Sequence, residues 1–223
     1  MRKLLTLLAL TFMAITANAQ VYCYDTNGDG EINITDVICL VNRILGIPNP
    51  GEEPQVLLSC PDNNHPHAID LSLPSGTKWA CCNVGASSPE EKGNTYQWGS
   101  TEKEQDTPFW AKKVSVISGT QYDVAHVKWG DSWQMPNNYS ELSSNCDHEK
   151  VTYKGTIGMI FISKLNGNSI FFPFKSDTYC GYWTGSPHGN TYDAYGLWMN
   201  NNELEGGGNS RLVPSYVRPV WVP

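Results

Sequence analysis

A chain of 223 residues has room for one ordinary domain and a small appendage. Its formal net charge of −7 suits neither phosphate backbones nor anionic membranes, which excludes nucleic acid and lipid surfaces from the expected partners. Charged residues are only 17% of the chain while glycine, asparagine, serine and tryptophan are plentiful, a balance of β- and loop-rich extracellular domains rather than helical ones.

The first residues set the compartment. Arg2 and Lys3 form a positive n-region, Leu4–Thr16 is almost wholly apolar, and Ala17-Asn18-Ala19 is an A-x-A cleavage pattern. The apolar run is shorter than the roughly 20 residues a spanning helix needs. Residues 1–19 therefore read as a secretory signal peptide, with Gln20 as the new N-terminus and no membrane insertion after its removal. The expected location is the periplasm, the cell surface or the surrounding medium. All seven cysteines fall after the signal, and export permits disulfides. The odd count leaves at least one thiol free or paired between molecules. No Cys/His spacing along the sequence has the form of a zinc site.

Residues 20–46 read as a calcium loop and a helix. Calcium takes six to eight hard oxygen ligands in a flexible cage. Between Asp25 and Asp36, the side chains of Asp25, Asn27 and Asp29 fall at loop positions 1, 3 and 5, and Gly30 at the sharp turn of position 6. Glu31 offers its carbonyl at position 7, Asn33 stands at position 9 and Asp36 closes the loop at position 12. An EF-hand closes with glutamate there. The aspartate ending, the lack of an entering helix and the helix that follows resemble instead the calcium repeat of dockerins. In that helix Val37, Leu40, Val41, Ile44 and Leu45 make an apolar stripe, with Gly46 as C-cap and Pro48 as the stop. A dockerin carries two such repeats that together bind a cohesin; one is present here. A lone helix cannot bury its stripe, so it must dock on the main domain, dimerise or meet a partner, a cohesin-like domain among them.

Residues 47–66 hold Pro48, Pro50, Pro54, Pro61 and Pro66 and read as a linker, with Val56-Leu57-Leu58 as a short edge strand. His65-Pro66-His67 reads as exposed linker too, because two histidines make a poor metal site without a third ligand. The main domain, residues 67–223, shows strand-like runs at Ala68–Leu73, Lys78–Val84, Thr95–Trp98, Val124–Trp129, Thr156–Leu165, Ser169–Phe174, Tyr192–Asn200 and Ser215–Val220. One helix is expected near Asn138–Cys146, where Tyr139, Leu142 and Cys146 share a face. Gly206-Gly207-Gly208-Asn209-Ser210 reads as a flexible loop.

Four stretches of this domain carry a resemblance. They are Ile69–Ala80 running on through Asn83–Ala86 to Tyr96–Gly99; Trp129–Pro136 with Glu141-Leu142 and Asn145-Cys146; Gly167–Pro173 with Gly181-Tyr182-Trp183; and Val217–Val220. In this order they resemble the Fibrobacter succinogenes major paralogous domain family of bacterial surface and secreted modules. That resemblance implies an α+β, C-type-lectin-like domain with short twisted strands and long loops, related to the fold of formylglycine-generating enzymes, and no established catalytic residues. It also implies Cys82 and Cys146 as a first candidate disulfide. The segments from Met135-Pro136 to Cys146 and from Pro173 to Trp183 are shorter than the family spacing.

Trp79, Trp98, Trp129, Trp133, Trp183 and Trp198 stand beside glycines and strands and read as core. Tyr179, Tyr182, Tyr192 and Tyr195 are better placed to face a ligand. Ser75–Lys78 and Ser100–Lys103 fit S-x-x-K, but the companion motifs are absent. Glu90-Glu91, Glu102 with Glu104, and Glu203 with Glu205 read as solvated charges rather than a glycosidase pair. The expectation is a calcium-binding, non-catalytic module that binds a glycan or a surface protein. The alternatives are an accessory of polysaccharide degradation tethered through its dockerin-like segment, and an enzyme on a lectin-like scaffold.

Overall fold

The computed structural model describes residues 30–45, 58–102, 115–130, 132–176, 179–189, 192–200 and 203–222. The signal segment, Asp25, Asn27, Asp29 and Val56-Leu57 lie outside them. Two compact units divide the chain, Met1–Gln55 and Val56–Pro223. The last residues of the expected linker thus belong to the second unit.

In the first unit, helix α1 spans Ile34–Leu45. Asn33 and Asp36 cap it reciprocally. Asn33 Oδ1 accepts from the Thr35 N–H at 2.8 Å, and Asp36 Oδ2 accepts from the Asn33 N–H at 2.8 Å. Gly30 sits at φ +82°, the left-handed conformation that loop position 6 requires. Val37, Leu40 and Val41 are exposed on this helix.

The second unit is α+β, mostly sheet, in the order β1 (Ala68–Ile69), β2 (Lys78–Ala80), α2 (Val124–Trp129), β3 (Trp133–Gln134), α3 (Ser140–Asn145), β4 (Cys146–Tyr153), β5 (Thr156–Ser163), β6 (Ser169–Pro173), β7 (Tyr179–His188), β8 (Asp193–Asn200), β9 (Glu203–Ser210) and β10 (Val220–Trp221). Three antiparallel sheets result: β1-β2-β10-β3, β4-β5-β6 and β7-β8-β9. β5 and β6 are nearly continuous apolar runs because both lie in the core. β4 carries Asp147, His148 and Glu149 exposed, as an edge strand does. Lys154 and Gly155, both at positive φ, make the tight turn that fixes the β4–β5 register at Tyr153↔Thr156.

Several expectations are corrected. Val124–Trp129 is helix, not strand: buried Asp123 caps it, accepting from the Ala125 and His126 N–H groups. Six residues are too few for periodicity to separate the two forms. Thr95–Trp98 contributes only an isolated bridge, Tyr96↔Ser215. Gly206–Gly208 is strand β9, not a flexible loop. Rings pack against Gly207 and Gly208: Trp198 Nε1 donates to the Gly207 carbonyl at 3.1 Å, and the His188 imidazole fills the place of a Cβ on Gly208.

The core holds the indoles as expected for Trp79, Trp98, Trp183 and Trp198. Trp98 Nε1 donates to the Thr184 carbonyl at 2.7 Å and Trp183 Nε1 to the Tyr96 carbonyl at 3.0 Å. Trp129 and Trp133 are half-buried and meet edge to face with centroids 5.2 Å apart.

Candidate functional site

Two adjoining depressions open beside the segment between β3 and α3. The larger, about 460 Å³, is walled by Asn137–Ser140, Ser143, Thr184, Ser186, Tyr195–Leu197, Leu204 and Gly206. The smaller, about 260 Å³, adds Ser75, Thr77, Trp79, Gln134 and Glu141. Asn137, Asn138 and Ser140 line both.

Local hydrogen bonds hold this segment in place. Ser118 Oγ donates to Asn137 Oδ1 at 2.8 Å and Ser186 Oγ to the Asn137 carbonyl at 2.8 Å. Asn138 Oδ1 accepts from both the N–H and the hydroxyl of Ser140, at 3.0 and 2.6 Å. Tyr139 turns inward, its hydroxyl donating to the Trp183 carbonyl at 3.2 Å, and burial raises its pKa well above the usual phenol range. The one carboxylate, Glu141, accepts from Ser75 Oγ at 2.6 Å. Buried Trp79 Nε1 has no hydrogen-bond acceptor among the described residues. The smaller depression is thus mostly polar, while the larger is mostly apolar, with Tyr195, Leu197 and Leu204 facing the amides and hydroxyls, and Glu141 is the charged group of the lining.

Of the tyrosines expected to face a ligand, Tyr195 does so, 43% exposed on the wall of the larger depression. Tyr192 is exposed but lines neither depression. Tyr182 is a correction: it is fully buried, its hydroxyl donating to the Pro173 carbonyl at 2.9 Å. The side chain of Tyr179 lies outside the described residues. In Ser75–Lys78 the serine is bonded to Glu141 while Lys78 Nζ lies 5.4 Å from the Trp221 ring centre.

Of the calcium-loop residues, Glu31, Asn33 and Asp36 are described, and Asn33 and Asp36 meet at the helix cap. Asp25, Asn27 and Asp29 lie outside the described residues.

The histidines of His65-Pro66-His67 are not exposed linker. Cys60 and Cys81 join them, and the four potential ligand atoms lie within 4.8 Å of one another. Sequence reasoning missed this because Cys81 reaches His67 through strand register rather than spacing. The Cys82–Cys146 pairing is not formed either; both are buried free thiols. The Cys60 thiol and then the Cys82 thiol donate to Cys81, holding it well below the usual thiol range despite burial and raising their own pKa. Burial pushes Cys146 up to about 11.

No helix of the described residues is long and apolar enough to cross a membrane. No family model, no curated protein and no solved structure matches the chain.

Proposed function

We propose that this chain is an exported, calcium-binding, non-catalytic module that holds a neutral glycan in the paired depressions of its second unit. In this reading that unit is a C-type-lectin-like domain of the Fibrobacter succinogenes major paralogous kind. The supporting observation is the lining: Asn137, Asn138, Ser140 and Ser186 beside the exposed ring of Tyr195, with the nearby carboxylate already bonded to Ser75. Sugar hydroxyls are donors and acceptors at once, and amides and hydroxyls answer both roles. A pyranose also presents an apolar C–H face that suits an aromatic ring. A panel of neutral and acidic polysaccharides, titrated against the mature protein, tests the reading. Binding of a neutral polysaccharide that is lost in Asn138→Ala supports it; binding of none, or binding unchanged in that variant, sinks it.

The exposed Val37, Leu40 and Val41 favour a second reading, in which α1 tethers the module to a partner in calcium. Asp25→Ala with Asp29→Ala then abolishes partner capture, and capture unchanged in the double variant rejects that reading.

A further inference from the structure

We propose that Cys60, His65, His67 and Cys81 bind a zinc ion in a closed, structural Cys2His2 site. Each ligand arrives by a separate local cause. β1 and β2 pair with Ala68 opposite Ala80, which sets His67 opposite Cys81, and the ladder continues as Cys81 N–H donates to the His67 carbonyl at 3.0 Å. Strand register thus brings together residues fourteen apart in sequence. His65 stands two residues before His67 and puts Nδ1 3.2 Å from Cys81 Sγ. Cys60 comes in on the segment before β1, which Ser59 anchors to β6: the Ser169 N–H donates to Ser59 Oγ at 2.8 Å.

The distances suit the metal. Zn–S of about 2.3 Å and Zn–N of about 2.0–2.1 Å at the tetrahedral angle put sulfur about 3.6 Å from nitrogen. His65 Nδ1 and His67 Nδ1 stand 3.2 and 3.7 Å from Cys81 Sγ, on either side of that value.

The surroundings also suit it. His67 Nε2 lies 2.9 Å from Asp62 Oδ1. A carboxylate there accepts the Nε2 proton, so the neutral ring turns a lone pair at Nδ1 toward the cysteines; this is the carboxylate–histidine–metal arrangement of zinc proteins. Asp62 is itself fixed by accepting from the Asn64 N–H at 2.7 Å. The His67 N–H donates to Cys81 Sγ at 3.1 Å, a second bond that steadies a thiolate ligand. Two thiolates and two neutral imidazoles cancel the ion's charge, which lets a partly buried site hold it. Four protein ligands leave no open position, so the ion is structural. It fastens the segment before β1 to the end of β2. A Cys60–Cys81 disulfide is the competing use of the same sulfurs, but it employs neither imidazole nor the Asp62–His67 bond.

The test uses the mature full-length protein. Plasma mass spectrometry is expected to find one zinc per chain, absent in Cys81→Ser. Cobalt(II) in its place is expected to give tetrahedral absorption with a thiolate charge-transfer band, roughly halved in Cys60→Ser. Asp62 is exposed and touches the ion only through His67, so Asp62→Asn should fold normally. It is expected to lower zinc affinity by about 10–100-fold against a competing chelator, with stoichiometry unchanged. Exported protein that carries a Cys60–Cys81 bond and no zinc overturns the proposal. So does an octahedral cobalt spectrum without a thiolate band, which reads out on the unaltered chain should the cysteine variants fail to fold.

Discussion

Arg218 Nε donates to Asn83 Oδ1 at 2.8 Å, inside a core from which both residues are fully excluded from solvent. The same guanidinium donates to the Ala80 carbonyl at 2.9 Å and the Phe171 carbonyl at 2.6 Å, and stacks 4.5 Å from the Phe172 ring centre. One side chain therefore joins β2, β6 and the chain just before β10. Its fork of donors does what an ammonium cannot. Arg218→Lys leaves at least one buried carbonyl without a donor and is expected to cost about 2–4 kcal/mol, read as a lower urea midpoint.

The glycine run of β9 makes a sharper test of packing. The His188 ring occupies the volume that a Cβ on Gly208 would need. Gly208→Ala is expected to destabilise by about 1–3 kcal/mol through overpacking. Gly206→Ala, where a Cβ meets nothing, is expected to leave the melting temperature nearly unchanged. Equal tolerance at both positions would mean that the run is the loop its composition suggests.

These two glycines show where sequence reading stops. β5 and β6 were legible because burial on both faces writes an apolar run into one segment. β9 was not, because what stabilises it is rings from β7 and β8, and its own residues carry no pattern. β4 was hidden by the charges of an edge strand, and β7 by Gly181, Gly185 and Pro187. The candidate sites divide the same way. The proposed calcium ligands fall in one contiguous segment, Asp25–Asp36, so their spacing is read from the sequence alone. His67 and Cys81 meet only through the β1–β2 register, and Tyr195 meets Asn138 only across the depression.

Asp123 combines both kinds of information. Oδ1 accepts from the N–H groups of Ala125 and His126 at 2.9 and 3.3 Å. Oδ2 accepts from those of Gly119 and Met135 at 2.8 and 2.7 Å. Two of these bonds cap α2, and two tie it to Gly119 just upstream and to Met135 just after β3. Asp123→Ala is expected to cost about 2–4 kcal/mol, more than a cap alone, because it strands buried N–H groups. A loss no greater than about 1 kcal/mol, the worth of an ordinary cap, would show that water replaces the carboxylate.

Tyr195 is exposed enough to remove without opening the core. Tyr195→Ala is expected to weaken polysaccharide binding about tenfold or more, which is about 1.4 kcal/mol, with the unfolding midpoint unchanged. Tyr192→Ala, exposed but away from the depressions, is expected to bind normally. Equal loss in both variants would move the ligand to a different face.

Calcium is expected to act on the first unit alone. Asn33 and Asp36 cap α1 and are also ligands 9 and 12 of the proposed calcium loop, so ion binding there would be coupled to helix formation. At a calcium concentration a hundred times its Kd, the bound ion adds about 2.7 kcal/mol to the stability of whatever it orders. Withdrawal of calcium with zinc resupplied is therefore expected to lower helical circular dichroism and to open Gly30–Leu45 to protease, while Val56–Pro223 keeps its melting temperature. Asp25→Ala with Asp29→Ala should reproduce the chelated state in the presence of calcium. Asp36→Ala should be more severe than Asp25→Ala or Asp29→Ala alone, because it removes the helix cap as well as a proposed ligand. Helical signal and protease resistance unchanged by chelation would mean that the reciprocal Asn33–Asp36 cap holds α1 without the ion.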